Sequence, residues 1–133
     1  MKHLKNKIAV AGVGTTPYGS FPERSDYALA AQAFKAALDD CGLPKQSIDG
    51  LVCCRVPYYA RMGSILGLDP RWTLQMPAHG RMSGISIIEA MMALESGAAT
   101  HVALLYANVG RSRRMNYGGE NEGFWDPWGL TSP

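Results

Sequence analysis

Residues 72–108 read WTLQMPAHGRMSGISIIEAMMALESGAATHVALLYAN. A short β-prone run, 72–76, is broken by Pro77-Ala78-His79-Gly80. A stretch from 83 to 96 follows with Ile, Met, Ala and Leu on nearly every side, and Gly97 ends it. A helix that is apolar all round is a buried one. The apolar run 101–108 then reads as a second strand. Strand, buried helix, strand is the pattern of a right-handed crossover between parallel strands, so the fold class is α/β.

Working outward, residues 48–54 (IDGLVCC) form a further candidate strand. Residues 58–66 are a short helix or an ordered loop, and periodicity does not choose between them. Residues 25–40 read as a helix: Ser25 is a cap, Asp26 suits the positive end of the dipole, and Leu29, Ala30, Ala33, Phe34, Ala37 and Leu38 recur at helical spacing. Gly42 and Pro44 stop it. Residues 8–13 (IAVAGV) are nearly continuously apolar and predict a strand buried on both faces. The order is βαβαβαβ, with four strands in a mostly parallel sheet and helices on both faces.

The 133 residues are enough for one domain with a real core. With 47% hydrophobic and 18% charged residues the composition is globular, which excludes a disordered or fibrous chain. A net charge of +2 gives no argument for nucleic acid. No run reaches the roughly 20 apolar residues of a membrane span, and the start lacks a signal-peptide core. Three cysteines do not suggest a disulfide framework, so a soluble protein of the reducing cytoplasm is expected.

Several motifs carry candidate chemistry. Gly12-x-Gly14 after the first strand is similar to a dinucleotide-binding turn, but it lacks the third Gly and an immediate helix; a tight turn accounts for it better. Adjacent Cys53 and Cys54 lack the spacing that lets two thiolates share a metal, and on a strand they would fill packing positions on opposite faces. His79-Gly80-Arg81-Met82-Ser83-Gly84 lies between a strand and the buried helix. Its backbone N–H groups could hold an anion or oxyanion; a capped helix after a tight turn is the alternative. Arg111, Arg113 and Arg114 suit the phosphates of a ligand such as coenzyme A, although charge alone favours a solvated loop. Tyr117, Trp125 and Trp128 in a Gly-rich stretch suggest aromatics that cover a pocket or an interface.

Taken together the segments resemble the N-terminal part of the thiolase superfamily. The likeness is to the sterol-carrier-protein type and its lipid-transfer-protein-like relatives. It is carried by residues 8–19, by Gly42-Leu43-Pro44 leading to Ile48-Asp49-Gly50, and by Ser83-Gly84-Ile85-Ser86. It continues through residues 96–102 and closes on Trp128-Gly129-Leu130-Thr131-Ser132-Pro133. The resemblance implies an incomplete thiolase-like α/β domain over 1–108, with 109–133 leading into a loop domain. It also implies a homodimer through the edge strand near Trp72–Met76 and another polypeptide that completes the fold.

In that family a nucleophilic Cys stands at the start of the buried helix. Counting from Gly97 puts its equivalent at Gly80; aligning on Ser83-Gly84 puts it at Arg81. Neither side chain can form an acyl-enzyme. The resemblance therefore implies cleavage of a carbon–carbon bond in a β-hydroxyacyl-CoA by retro-aldol chemistry. The thioester is then substrate rather than bound cofactor, no metal is needed, and an OB-fold, zinc-ribbon companion is implied. Gly80, Arg81, Ser83 and Gly84 would form the oxyanion region. His79, Met82, Arg111, Arg113, Arg114, Tyr117 and Trp125 would touch substrate. The alternatives are a Claisen thiolase subunit of the acetyl-CoA acetyltransferase type and a non-catalytic assembly subunit.

Overall fold

The computed structural model describes residues 6–76 and 82–114. Helix α1 (Asp26–Cys41) begins where the sequence places it: the Ser25 hydroxyl accepts from the Ala28 N–H, and Gly42 ends the helix in the left-handed region at φ 68°. A single 3-10 turn, Lys45–Ser47, leads into β1 (Gly50–Cys54). Helix α2 (Tyr59–Leu66) settles the open choice at 58–66. Strand β2 (Trp72–Met76), helix α3 (Met82–Glu95) and strand β3 (Val102–Tyr106) complete the described order.

The three strands are parallel in the order β2-β1-β3, with Gly50 opposite both Trp72 and Val102. Strand β1 is central, and its residues from Leu51 to Cys54 are fully buried. Alternation along it sorts the core into two layers. Leu51 and Cys53 join Leu29, Phe34 and Met62 under α1 and α2, while Val52 and Cys54 join Met76 and Ala90 under α3. Helices α1 and α3 thus cover opposite faces, as a parallel sheet requires. The sequence expectation of α/β architecture holds, and the adjacent cysteines occupy packing positions on opposite faces.

Asp49 joins the N-terminal ends of all three strands. Its Oδ1 accepts from the Thr100 and His101 N–H groups at 2.8 and 2.9 Å. Its Oδ2 accepts from the Thr100 hydroxyl at 2.9 Å and from Arg71 Nε at 3.0 Å.

Two expectations are corrected among the described residues. Residues 8–13 form no strand of the sheet. They lie along α1 instead. A Cβ on Gly12 or Gly14 would meet the backbone at Ala37 or Ala33, so only glycine allows this approach. The other side of the segment is open, and Val10 and Val13 are 81% and 67% exposed. A continuous apolar run marks a segment fit for burial without naming its neighbour, and here no strand lies beside it. The second correction concerns α3. Ser86 and Ala93 are buried, but Ile85, Ile87, Ile88 and Met92 are exposed. One sheet face covers one side of a helix, which leaves the rest of an all-apolar helix bare.

Candidate functional site

In a parallel sheet joined by helices, every helix starts at the C-terminal ends of the strands, and open α/β sheets bind ligands in the crevice there. Here the starts of α1, α2 and α3, the turn after β1 and the segment after β3 all lie at that end.

That turn is strained. Arg55 and Tyr58 both have positive φ, 64° and 51°, which is costly for residues with bulky side chains. Gln75 on β2 holds it. Its Nε2 donates to the Cys53 and Val56 carbonyls at 3.2 and 2.8 Å, and its Oε1 accepts from the Tyr59 N–H at 2.8 Å. Sequence reasoning missed Arg55, Tyr58 and Gln75; the one visible signal was a polar residue inside the run WTLQM.

At the start of α3, the Ser83 hydroxyl is in hydrogen-bond contact with the Cys54 thiol. Burial raises that thiol above its ordinary value, Ser83 and Arg55 opposing it in part. Burial, with the neighbouring Cys54, pushes Cys53 up to about 12. Neither is an activated nucleophile, because a reactive cysteine needs a lowered value and access. A Cβ on Gly84 would meet open space, so the position leaves room beside the helix start.

The segment after β3 folds back on α1. Asp26 is buried; its Oδ1 accepts from the Val109 N–H at 2.8 Å, and Arg113 lies 3.6 Å from its Oδ2. The Ser112 hydroxyl accepts from the Phe21 N–H at 2.8 Å. Of the predicted arginines, Arg113 therefore has a protein partner, while Arg111 and Arg114 are exposed. Arg24 sits 5.2 Å from the Phe21 ring centre and Arg61 4.9 Å from that of Tyr27. Of these groups Arg113 is the one paired with buried Asp26, while Arg24 also lies 3.6 Å from Glu23.

The structure thus brings Ser83 to Cys54 and Arg113 to Asp26. Met82 is the first residue of α3. His79, Gly80, Arg81, Tyr117 and Trp125 lie outside the described residues. Among the described residues no cluster of His, Cys, Asp and Glu could hold a metal, and no helix is long and apolar enough to cross a membrane.

No family model matches the chain. A curated steroid side-chain-cleaving aldolase from Thermomonospora curvata is 40% identical over 52 residues, which is 39% of this chain and 13% of the relative. Among solved structures, the Ltp2-ChsH2(DUF35) aldolase superposes with a TM-score of 0.73 at 28% identity, over 85% of this chain and 30% of the neighbour. A monomeric SCP2-thiolase-like protein type 1 from Mycobacterium smegmatis gives 0.60 at 26% identity, over 71% of this chain and 22% of its own. The chain spans less than a third of the length of any of these three. In fold and in sequence, the chain is similar to proteins of the SCP2-thiolase and thiolase-like aldolase kind.

Proposed function

We propose that the protein works as part of a thiolase-like aldolase that cleaves a carbon–carbon bond of a β-hydroxyacyl-CoA. One observation carries the reading: a chain similar to two aldolases has Gly80 and Arg81, not Cys, where a thiolase acylates itself. The buried thiols of Cys53 and Cys54 offer no replacement. In the retro-aldol step a base takes the β-hydroxyl proton and a carbonyl forms. The Cα–Cβ bond breaks, and its electron pair passes into the thioester as an enolate. Protonation at Cα then releases an aldehyde or ketone and a shortened acyl-CoA. Backbone N–H groups about Gly80, Arg81, Ser83 and Gly84 would hold the enolate oxygen, since the start of a helix favours negative charge. Exposed Arg111 and Arg114 would meet the coenzyme A phosphates, with His79, Met82, Tyr117 and Trp125 lining the acyl path. Arg113, tied to Asp26, would place its neighbours.

The acid and base would come from a further polypeptide that completes the fold, alongside an OB-fold, zinc-ribbon companion. The edge position of β2 supports pairing with a second copy, because an uncovered edge invites it. Free Cys41, Cys53 and Cys54 fit the reducing cytoplasm. The test is to incubate the assembled protein with β-hydroxyacyl-CoA thioesters, following carbonyl release and the intact mass of this chain. Product with an unmodified chain is expected. An acyl group on any of the three cysteines would overturn the reading in favour of Claisen chemistry, and an assembled protein that releases no carbonyl would favour a non-catalytic assembly role.

A further inference from the structure

Gln75 fixes the turn after β1 at three points. Its amide donates to the Cys53 and Val56 carbonyls and accepts from the Tyr59 N–H. The first two points bracket Cys54 and Arg55. All three bonds run to main-chain atoms, so none of them uses the Arg55 side chain. Yet Arg55 stands there with φ 64°, a conformation that glycine adopts freely and that crowds a Cβ against the following carbonyl. A turn that only connects β1 to α2 is better made with Gly at that place. Strain held by its surroundings at the mouth of a crevice points to a role for the side chain itself.

The surroundings say which role. Arg55 is half-buried and directly follows the central strand. Its positive charge is felt at the Cys54 thiol, and that thiol meets the Ser83 hydroxyl in the first turn of α3. Beside Ser83, the Gly84 position faces open space. We propose that Arg55 is a catalytic residue of the retro-aldol step, donating to the thioester oxygen as the enolate forms beside Ser83, and that Gln75 is the positioning residue that aims it. The inference rests on the preceding reading and adds to it a cation supplied by this chain. When the Cα–Cβ bond breaks, its electron pair ends on that oxygen. Arg55 gives up no proton; its hydrogen bond strengthens as the charge builds. A guanidinium stays charged at any working pH, and half-burial limits screening by water. A cation could instead pair with a coenzyme A phosphate. That contact would be equally strong before and during the reaction, so its loss would raise KM and leave kcat alone.

Arg55→Gly in the assembled protein tests it, because glycine keeps the left-handed turn and removes only the side chain. With a β-hydroxyacyl-CoA as substrate, kcat is expected to fall about 100-fold while KM stays within about two-fold. Millimolar guanidinium chloride is expected to restore rate in proportion to its concentration, and ammonium chloride is not. A raised KM with unchanged kcat assigns Arg55 to a phosphate and overturns the proposal, as do unchanged kinetics. Gln75→Leu is expected to lower kcat without rescue by guanidinium. Combined with Arg55→Gly, it is expected to cost no more than about two-fold beyond Arg55→Gly alone. Losses that multiply would make Gln75 a structural residue only and overturn its part. Acetoacetyl-CoA, which has no β-hydroxyl and cannot undergo the step, separates this inference from the reading beneath it. Wild type is expected to hold it as the enolate, seen by ultraviolet absorption, and Arg55→Gly is not. If the enolate is held in this Arg55-dependent way but no hydroxyacyl-CoA is cleaved, the preceding reading fails and the oxyanion contact stands. If cleavage proceeds and Arg55→Gly matches wild type, only this inference fails.

Discussion

Asp49 shows how one side chain orders a sheet. Burial by itself would raise its carboxyl; the His101 and Thr100 N–H groups, the Thr100 hydroxyl and Arg71 outweigh this and hold it well below the usual carboxylate range. A depressed folded value gives stability that is present above the unfolded value, about 3.9, and lost as pH falls below it. Acid titration followed by circular dichroism is expected to show a loss of stability below about pH 4 that Asp49→Asn largely lacks. At neutral pH that variant is expected to be about 2–3 kcal/mol less stable, because hydrogen bonds to a charged acceptor are among the stronger ones. The cysteines carry a second expectation. Cys53 and Cys54 are buried with raised thiols, while Cys41 is half-buried at the end of α1. Iodoacetamide at pH 8 should label Cys41 first and reach the other two only on unfolding. Peptide mapping that finds Cys54 labelled first would revive it as a nucleophile.

At the scale of elements, legibility followed burial. The sequence placed β2 correctly and α1, β1 and β3 to within a few residues, because each has its apolar positions answered by a partner inside these residues. Residues 8–13 and α3 were read as buried for the same apolar content, and both face open space here. Sequence records how apolar a segment is and leaves its neighbour unstated. The outer face of α3 makes the point testable. Ile88 and Met92 lie one turn apart and are 44% and 57% exposed. Introducing Lys at both should change the stability of the domain itself by no more than about 0.5 kcal/mol, as exposed positions usually do. Association with the completing polypeptide proposed above should weaken at least about 100-fold if that face is covered in the assembly, because a charge would then be buried without a partner. Sedimentation velocity of wild type and variant decides it; unchanged association would show that α3 stays bare.

For the whole molecule, the α/β class was readable from element order alone. The strained turn at Arg55–Tyr58 was not, because left-handed backbone at non-glycine residues leaves no compositional trace; it shows only in three dimensions, where Gln75 reaches it from a neighbouring strand. The Arg113–Asp26 pair joins residues far apart in sequence and was equally hidden. The Asp49 clasp has a consequence of another kind, in time. Its partners lie 22, 51 and 52 residues away along the chain. It can close only after β2 and β3 have both reached β1, so we expect it to form late in folding, after the rate-limiting barrier. A contact absent from that barrier acts on the reverse reaction. Asp49→Asn should therefore leave the refolding rate within about two-fold and speed unfolding by roughly the whole of its 2–3 kcal/mol, some 30- to 150-fold. Stopped-flow chevrons of the assembled protein would show the right-hand arm rising while the left stays in place, which makes Asp49 a latch that sets how long the sheet survives rather than how fast it forms.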